Sequence, residues 1–283
     1  MSNYQNQTNQ EKEKAVEPKS YHLLSFISEG DVTVRDDQYD FFWILDTIKH
    51  SRKKGVRFRL IDSGCLTSSQ LDWLAKAGAD IYTTNEVRPN PLELQFLSKI
   101  AQRSNSIVAY FYQDEIEDGV GEERETRSFY NLINLAASGV YLHFSNKQGK
   151  RDLSKLSLLA ATCCQGGSWL IYYHHGPLEP ALDELAASGA WIHLSGKSLR
   201  EQEETSLLLN IIKSAKSAGA NIVFHLEKEM NFGLVQDLIK EGACVLFTSF
   251  IPDYKSPFYP LAREARRKKL NFRSFYLYPH FML

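Results

Sequence analysis

Polar side chains recur at the ends of β-rich runs in this sequence. Four of these runs each follow a helical pattern that ends in glycine, at Gly78, Gly139, Gly189 and Gly242; they read ADIYTTNE, VYLHFSNK, AWIHLSGK and ACVLFTSF. Because side chains alternate between the two faces of a strand, one face of each run is mainly apolar, and the other carries polar groups. In a parallel sheet these polar groups gather at the carboxyl ends of neighbouring strands, where binding and catalytic groups are found.

Four further runs alternate with the first four and read VRFRLIDS, SIVAYFYQ, SWLIYYHH and NIVFHLEK. In the first of them, Arg57 and Arg59 interrupt the side that we expect to face the helices. In the other three, residues such as Ala109, Ile171 and Phe224 are expected to face the helices. The opposite face of the four runs is then expected to end in Asp62, Tyr112, His174 and Glu227.

The residue types at these strand ends predict a site for a small anion. The candidate catalytic residues are His174, Glu227, Asp62 and Glu86, since carboxylates and imidazoles transfer protons near neutral pH. The candidate substrate-binding residues are Lys147, Lys197, Ser145, Ser195, Thr248 and Tyr112. Lysine charge attracts a phosphorylated or carboxylated metabolite. Lyase, isomerase and hydrolase chemistry all remain open, and the alternative is that the charges pair and only stabilise the strand ends.

A metal site has weak support. His225 and Glu227 form a His-x-Glu pair on one strand face, which suits two ligands of one divalent ion, and Asp62 and His174 could complete the set. His-x-Glu is a common spacing, so we assign no metal ligand and leave the cofactor unknown, with a divalent ion as the open option. No nucleotide cofactor is expected, because the Ser-Gly-Lys-Ser stretch at 195–198 has Trp191 where a phosphate-binding loop needs glycine.

The alternation of strands and helices predicts one α/β domain over residues 21–283, after a disordered polar tail over 1–20. Eight aligned runs between Val56 and Phe250 favour a (β/α)8 TIM-type barrel, with extra flanking strands near Tyr21 and Asn271. The alternative is an open βα horseshoe. The glycines recur about every second βα unit, which indicates an internal repeat.

Composition narrows the class of protein. The 33 basic and 34 acidic residues give a net charge of −1, which argues against a dedicated nucleic-acid binder. We find no apolar run long enough for a membrane span and no signal peptide, and the cysteine usage fits free thiols in the cytoplasm. The oligomeric state stays open. The alternative to an enzyme is a non-catalytic barrel or βα solenoid that binds a protein or an RNA.

Two stretches carry a resemblance to known barrels. LVQDLIKEGACVLFTSF resembles the seventh helix and eighth strand of the phosphate-binding sugar-isomerase and cyclase barrels of histidine and tryptophan biosynthesis. LDWLAKAGADIYTTNEVRPNP is similar to their helix–strand–loop units. The resemblance implies a (β/α) barrel that acts on a phosphorylated substrate. Those families place glycines after the seventh and eighth strands, where this chain has Glu227-Lys228 and Thr248-Ser249. The resemblance therefore extends to the order and spacing of helices and strands and not to the phosphate motif.

Overall fold

The computed structural model describes residues 31–116, 125–195, 203–226, 231–247 and 254–260. The strands are β1 (Val32–Arg35), β2 (Phe58–Ile61), β3 (Ala79–Thr84), β4 (Val108–Phe111), β5 (Tyr141–Ser145), β6 (Leu170–Tyr173), β7 (Trp191–Ser195), β8 (Ile222–Leu226) and β9 (Cys244–Phe247). The helices are α1 (Phe41–Lys53), α2 (Ser68–Ala77), α3 (Pro91–Arg103), α4 (Glu125–Ala137), α5 (Leu153–Gln165), α6 (Ala181–Ala187), α7 (Glu203–Ser217) and α8 (Phe232–Glu241).

The nine strands form one parallel sheet in chain order, from β1 to β9. Each helix returns the chain to the next strand, and neighbouring helices pack against one another in the same order. This is the architecture of a (β/α) barrel, and it confirms the predicted fold class. Within the described ranges, hydrogen-bonded pairing runs from β1 to β9 without a β1–β9 pair. β1 was not predicted, and the strands expected near Tyr21 and Asn271 lie outside the described residues.

Local signals in the sequence explain where the helices begin and end. Thr67 and Gln70 form a capping box at the start of α2, and Asp152 accepts two backbone N–H groups at the start of α5. At the other end of α2, Gly78 has a φ of 109°, in the left-handed region that glycine enters without strain. The other three glycines singled out in the sequence also have positive φ.

The four strands that follow those glycines face as predicted. Ile81, Leu142, Ile192 and Val245 pack in the same buried cluster as the inward sides of the helices. The alternate residues therefore point into the concave side of the sheet. β8 also faces as predicted, because Phe224 belongs to the helix-side cluster.

The predicted facing is wrong for β2, β4 and β6. Tyr110 and Tyr172 pack with the helices, whereas Ala109 and Ile171 form a separate cluster on the concave side. β4 and β6 are apolar on both faces, as is usual for parallel strands covered on both sides, so the sequence pattern carries no sign of which face is which. In β2 the face that carries Arg57 and Arg59 is the concave one, not the helix-facing one that was expected.

The two arginines of the β2 run also lie on the concave side, because Phe58 between them packs with the helices. Arg57 binds both carboxylate oxygens of Asp80 on β3, with Nε–Oδ2 and Nη2–Oδ1 distances of 2.8 and 2.9 Å. Arg59 binds Asp31 at 2.9 Å. Asp31 provides the counter-charge that lets Arg59 occupy the interior, and the exposed Arg57 provides the counter-charge for the buried Asp80.

The concave side is filled with side chains. Tyr82 and Phe111 are each 1% exposed and Ile171 is 0% exposed. Tyr82 on β3 and Tyr173 on β6 belong to one continuous cluster that reaches from β3 to β6. This packing contradicts the horseshoe alternative, whose concave face would be open to solvent.

None of the helices in the described part of the chain is long and apolar enough to cross a membrane.

Candidate functional site

An open cleft lies at the carboxyl ends of β3, β4 and β5. Its floor is formed by the last residues of these strands, Thr84, Phe111 and Ser145. The loop after β4 and the loop between β5 and α5 supply the remaining lining residues, which are Gln113, Lys147, Gln148 and Arg151. The cleft is thus at the mouth of the barrel, where the sequence places the substrate site.

Arg151 is the buried cation of this cleft and is only 6% exposed. Its Nε donates to the carbonyl of Ser145 at 2.7 Å, Nη2 donates to the carbonyl of Gln113 at 2.7 Å, and Nη1 donates to the carbonyl of Asp114. These partners are neutral carbonyls. Among the described residues, no carboxylate lies within ion-pair distance of the guanidinium, so its direct partners are backbone carbonyls. Burial lowers the pKa of Arg151 from its ordinary value, and the nearby acidic residues partly offset this effect.

Lys147 is the exposed cation of the cleft, two residues after β5. Its backbone N–H donates to the hydroxyl of Ser145 at 3.1 Å, which turns the chain at the strand end. Within the described ranges Lys147 makes no ion pair. The predicted binding residues Lys147 and Ser145 therefore lie in the same cleft.

Asn146 fixes the same loop from the other side. Its side-chain amide donates to the carbonyl of His175 at 2.8 Å, and its side-chain oxygen accepts the N–H of His175 at 2.6 Å. Asn85 makes the corresponding pair of contacts at the end of β3, with the carboxylate of Asp114 at 2.7 Å and the N–H of Gln113 at 2.9 Å. Each asparagine ties one strand end to the next, so the cleft-lining backbone is held before any ligand arrives.

Asp62 was predicted to face the site at the strand ends, but it does not. Its side chain lies on the helix side of β2, where it accepts two hydrogen bonds from Arg88 and one from the hydroxyl of Thr83 at 2.8 Å. Gly64 N–H adds a further contact at 3.1 Å. With its oxygens occupied in this way, Asp62 holds loops together and is not placed to act as a base at the cleft.

Tyr112 and His174 are also outside the barrel mouth. Tyr112 packs in the helix-side cluster. His174 is 2% exposed, and its Nε2 donates to the carbonyl of Pro177 at 2.8 Å, which closes the turn after β6. The prediction that these two side chains face the mouth is wrong because the facing of β4 and β6 was predicted wrongly. Both faces of these strands are apolar, so the sequence does not show which face meets the helices.

The remaining predicted residues are dispersed or outside the described ranges. Glu86 is exposed in the loop after β3 and does not line the cleft, and Ser195 is half-buried at the end of β7. Lys197, Glu227 and Thr248 lie outside the described residues. Their predicted roles stay predictions.

A row of histidines crosses the concave side one layer below the mouth. His143 Nδ1 lies 3.2 Å from the hydroxyl of Tyr173, and the Tyr173 and His193 rings are 4.6 Å apart. His193 Nδ1 lies 2.8 Å from His225 Nε2. Burial lowers the pKa of His143 to about 3, and burial together with the neighbouring histidines lowers the pKa of His193 well below its ordinary value. Both rings are therefore neutral core groups at physiological pH.

The weak metal candidate His225 thus has a histidine partner, and Glu227 lies outside the described residues. The described part of the chain contains no group of three or more His, Cys, Asp or Glu side chains that could hold a metal ion.

Several cleft residues were missed in the sequence. Arg151 and Gln148 lie in the loop after β5, which the strand alignment does not reach. Gln113 ends the run SIVAYFYQ on the same face as Ala109, which was expected to face the helices. One signal was available for Asn85 and Asn146, because both occupy the seventh position of their aligned runs, ADIYTTNE and VYLHFSNK.

No protein-family model and no curated protein matches this chain. Among solved structures, it is similar to deoxyribose phosphate aldolase from Aeropyrum pernix, at 13% identity over 80% of this chain and 88% of that chain, with a TM-score of 0.32. A truncated form of 3-deoxy-D-arabino-heptulosonate 7-phosphate synthase from Thermotoga maritima matches at 14% identity over 77% of this chain and 89% of that chain, with a TM-score of 0.32.

A mandelate racemase/muconate lactonizing protein from Herpetosiphon aurantiacus matches at 11% identity over 84% of this chain and 62% of that chain, with a TM-score of 0.37. At these scores the likenesses carry no argument about the activity of this chain. The fold assignment rests on the strand order and on the filled concave side.

Proposed function

We propose that this protein binds a small anionic metabolite, with a phosphate or carboxylate group, in the cleft between Lys147 and Arg151. One observation carries the proposal. The charged side chains that line the cleft are both cations, and neither forms an ion pair with a described residue. An ion pair between an acidic and a basic side chain in the cleft would have suggested a purely structural role.

The burial of Arg151 explains why an anion fits here. A buried charge without a counter-charge is costly, and backbone carbonyls offset only part of that cost. A phosphate or carboxylate in the cleft supplies the missing negative charge, and its hydrogen bonds to charged donors are among the stronger ones in proteins. Lys147 is exposed at the rim and free to close on the ligand.

The neutral lining groups support orientation of such a ligand. Thr84 and Ser145 present hydroxyl groups, and Gln113 and Gln148 present amides that both donate and accept. The combination of charge and polar groups in this open cleft suits the phosphate or carboxylate group of a ligand.

A reaction on the bound anion is a second and more specific part of the proposal. The described lining holds no carboxylate and no imidazole, so an acid/base step would depend on Glu227 or Lys197, which lie outside the described residues. We therefore propose anion binding as the primary function, with lyase, isomerase or hydrolase chemistry on the bound anion left open.

The test is calorimetric titration of the full chain with inorganic phosphate and with succinate. Lys147→Met should weaken binding of the anion that the wild type prefers by about tenfold or more, because a charged hydrogen bond is lost. Lys150→Met is the matched control, since Lys150 is an exposed lysine of the same loop that does not line the cleft. Equal affinities of wild type and Lys147→Met, or no binding of either anion to the wild type, would overturn the proposal.

A further inference from the structure

Four consecutive helices each carry a large side chain with apolar surface that faces outward. These residues are Trp73 in α2, Phe96 in α3, Tyr130 in α4 and Leu158 in α5, and they are 60%, 69%, 63% and 53% exposed. The four helices pack side by side in chain order and begin at the same end of the sheet. Phe96, Tyr130 and Leu158 each lie seven residues before the last residue of their helix, so they lie at similar heights on the outer surface. We name these four side chains the outer band.

The helices that carry the second half of the band are depleted in charge. Residues 128–137 of α4 and 156–165 of α5 contain no Asp, Glu, Lys or Arg, although charged residues make up 24% of the chain. A helix on the outside of a barrel normally presents charged groups to water. Depletion of charge around aromatic side chains is typical of the core of a protein–protein interface.

The summed exposed area is large. Leu92 of α3 and Phe42 of α1 extend the band, with exposures of 60% and 68%. A fully exposed aromatic side chain presents about 150–250 Å², so these six side chains leave on the order of 700 Å² of mostly apolar surface in water. A stable dimer buries about 800 Å² on each partner, so the summed area of these side chains is of the size that a dimer interface needs.

We propose that the outer band is the interface between two copies of this chain. A two-fold contact brings a surface patch against itself, so the patch must be complementary to its own chemistry. An uncharged apolar band meets this condition. Charges of both signs stand at its border on α2 and α3, where Asp72 and Glu93 repel each other and the Lys99 ammonium lies 6.0 Å from the centre of the Phe96 ring. A border with both signs favours a second copy over a partner of one strong charge.

This interface is independent of the anion cleft. The band lies on the outward faces of α2 to α5, whereas the cleft opens at the strand ends. Anion binding and self-association therefore fail or succeed separately in experiment.

Sedimentation equilibrium of the full chain over a range of micromolar concentrations tests the proposal. The wild type should be a dimer, and Phe96→Glu or Tyr130→Glu should raise the dimer dissociation constant at least about 30-fold, as expected for a central aromatic contact. Tyr254→Glu is the control, because Tyr254 is 76% exposed in the segment after β9 and is not part of the band. Since all three side chains are exposed, thermal unfolding at a concentration where the wild type is monomeric should stay close to the wild-type midpoint.

Two results would overturn the proposal. A wild type that stays monomeric at all concentrations would mean that the band is covered by another part of the chain, by a different partner or by nothing. A dimer whose dissociation constant is the same in wild type, Phe96→Glu and Tyr130→Glu would place the interface elsewhere.

Discussion

Arg88 binds both carboxylate oxygens of Asp62, with an Nε–Oδ2 distance of 2.8 Å and an Nη2–Oδ1 distance of 2.9 Å. The side chains are 11% and 0% exposed, and Arg88 also donates to the carbonyl of Leu66. The pair raises the pKa of Arg88, chiefly through its hydrogen bonds to Asp62. Asp62, which the sequence predicts as an acid/base group, therefore has a structural role: its pair with Arg88 links the loops after β2 and β3.

Replacing one partner of this buried pair should cost stability and leave anion binding intact. We expect Asp62→Asn to lower the free energy of unfolding by about 3 kcal/mol, because Arg88 is left buried without its counter-charge. Asp37→Asn is the matched control, since Asp37 pairs with Arg35 at the surface, where such a pair contributes about 0–1 kcal/mol. Denaturant unfolding and a phosphate titration on the same samples check both parts. Loss of phosphate binding in a well-folded Asp62→Asn protein would return Asp62 to the site.

The neutral, buried His143 makes stability depend on pH. Its pKa is about 3 in the fold and about 6.5 in an unfolded chain, so between these values the unfolded state binds one more proton. Stability is then complete above pH 6.5 and falls as the pH is lowered, by about 1.4 kcal/mol per pH unit for this residue.

The variant His143→Gln removes that proton uptake. We expect its free energy of unfolding, measured by denaturant at pH 7, 6 and 5, to fall less steeply with acid than that of the wild type. His50→Gln replaces an exposed histidine of α1 and should keep the wild-type pH dependence. Parallel pH curves for His143→Gln and the wild type would contradict a neutral His143.

The two asparagine ties should matter both for stability and for the cleft. Asn146→Ala removes two hydrogen bonds to His175, and we expect a loss of about 2 kcal/mol from the free energy of unfolding. Since Lys147 follows directly, phosphate affinity should fall as well. Asn146→Asp keeps one of the two contacts, because a carboxylate still accepts the His175 N–H but cannot donate to the His175 carbonyl. We therefore expect Asn146→Asp to lose stability as well, through the loss of the hydrogen bond to that carbonyl. An Asn146→Ala protein with wild-type stability and affinity would show that the loop is held by other contacts.

Gly189 combines a positive φ with a close neighbour. Its φ is +93°, and an added Cβ would lie 2.5 Å from the Cys164 sulfur. Gly167 is the comparison, with a φ of +78° and nothing within 4 Å of an added Cβ. We expect Gly167→Ala to cost about 1–2 kcal/mol from backbone strain alone and Gly189→Ala to cost more. The double variant Cys164→Ala/Gly189→Ala should recover part of the extra loss, and a double-mutant cycle that shows strict additivity would contradict the clash.

The sequence was sufficient for the fold because its signals are repeated along the chain. Four helix–glycine–strand units place β3, β5, β7 and β9, and the four runs that alternate with them place β2, β4, β6 and β8. The capping residues Thr67 and Asp152 lie where helices begin. β1 was missed because VTVR is short and is preceded and followed by charged and polar residues.

The site was only partly predictable. Ser145 and Lys147 were found because VYLHFSNK alternates clearly between an apolar and a polar face. Tyr112 and His174 were misplaced because their strands are apolar on both faces, so a shift of one residue changes nothing in the pattern. Arg151 was missed because its position in the cleft is fixed by three backbone carbonyls, one at the end of β5 and two in the loop after β4. No local sequence pattern encodes such a tertiary arrangement.

The most direct test of the anion cleft is a crystal structure of the full chain soaked in selenate, a tetrahedral anion whose selenium is located by anomalous scattering. We expect an anomalous peak between the Lys147 ammonium and the cleft wall formed by Arg151 and Ser145, and we expect this peak to be absent in Lys147→Met crystals. Selenate bound elsewhere with this cleft empty, or a peak of equal height in wild-type and Lys147→Met crystals, would contradict it.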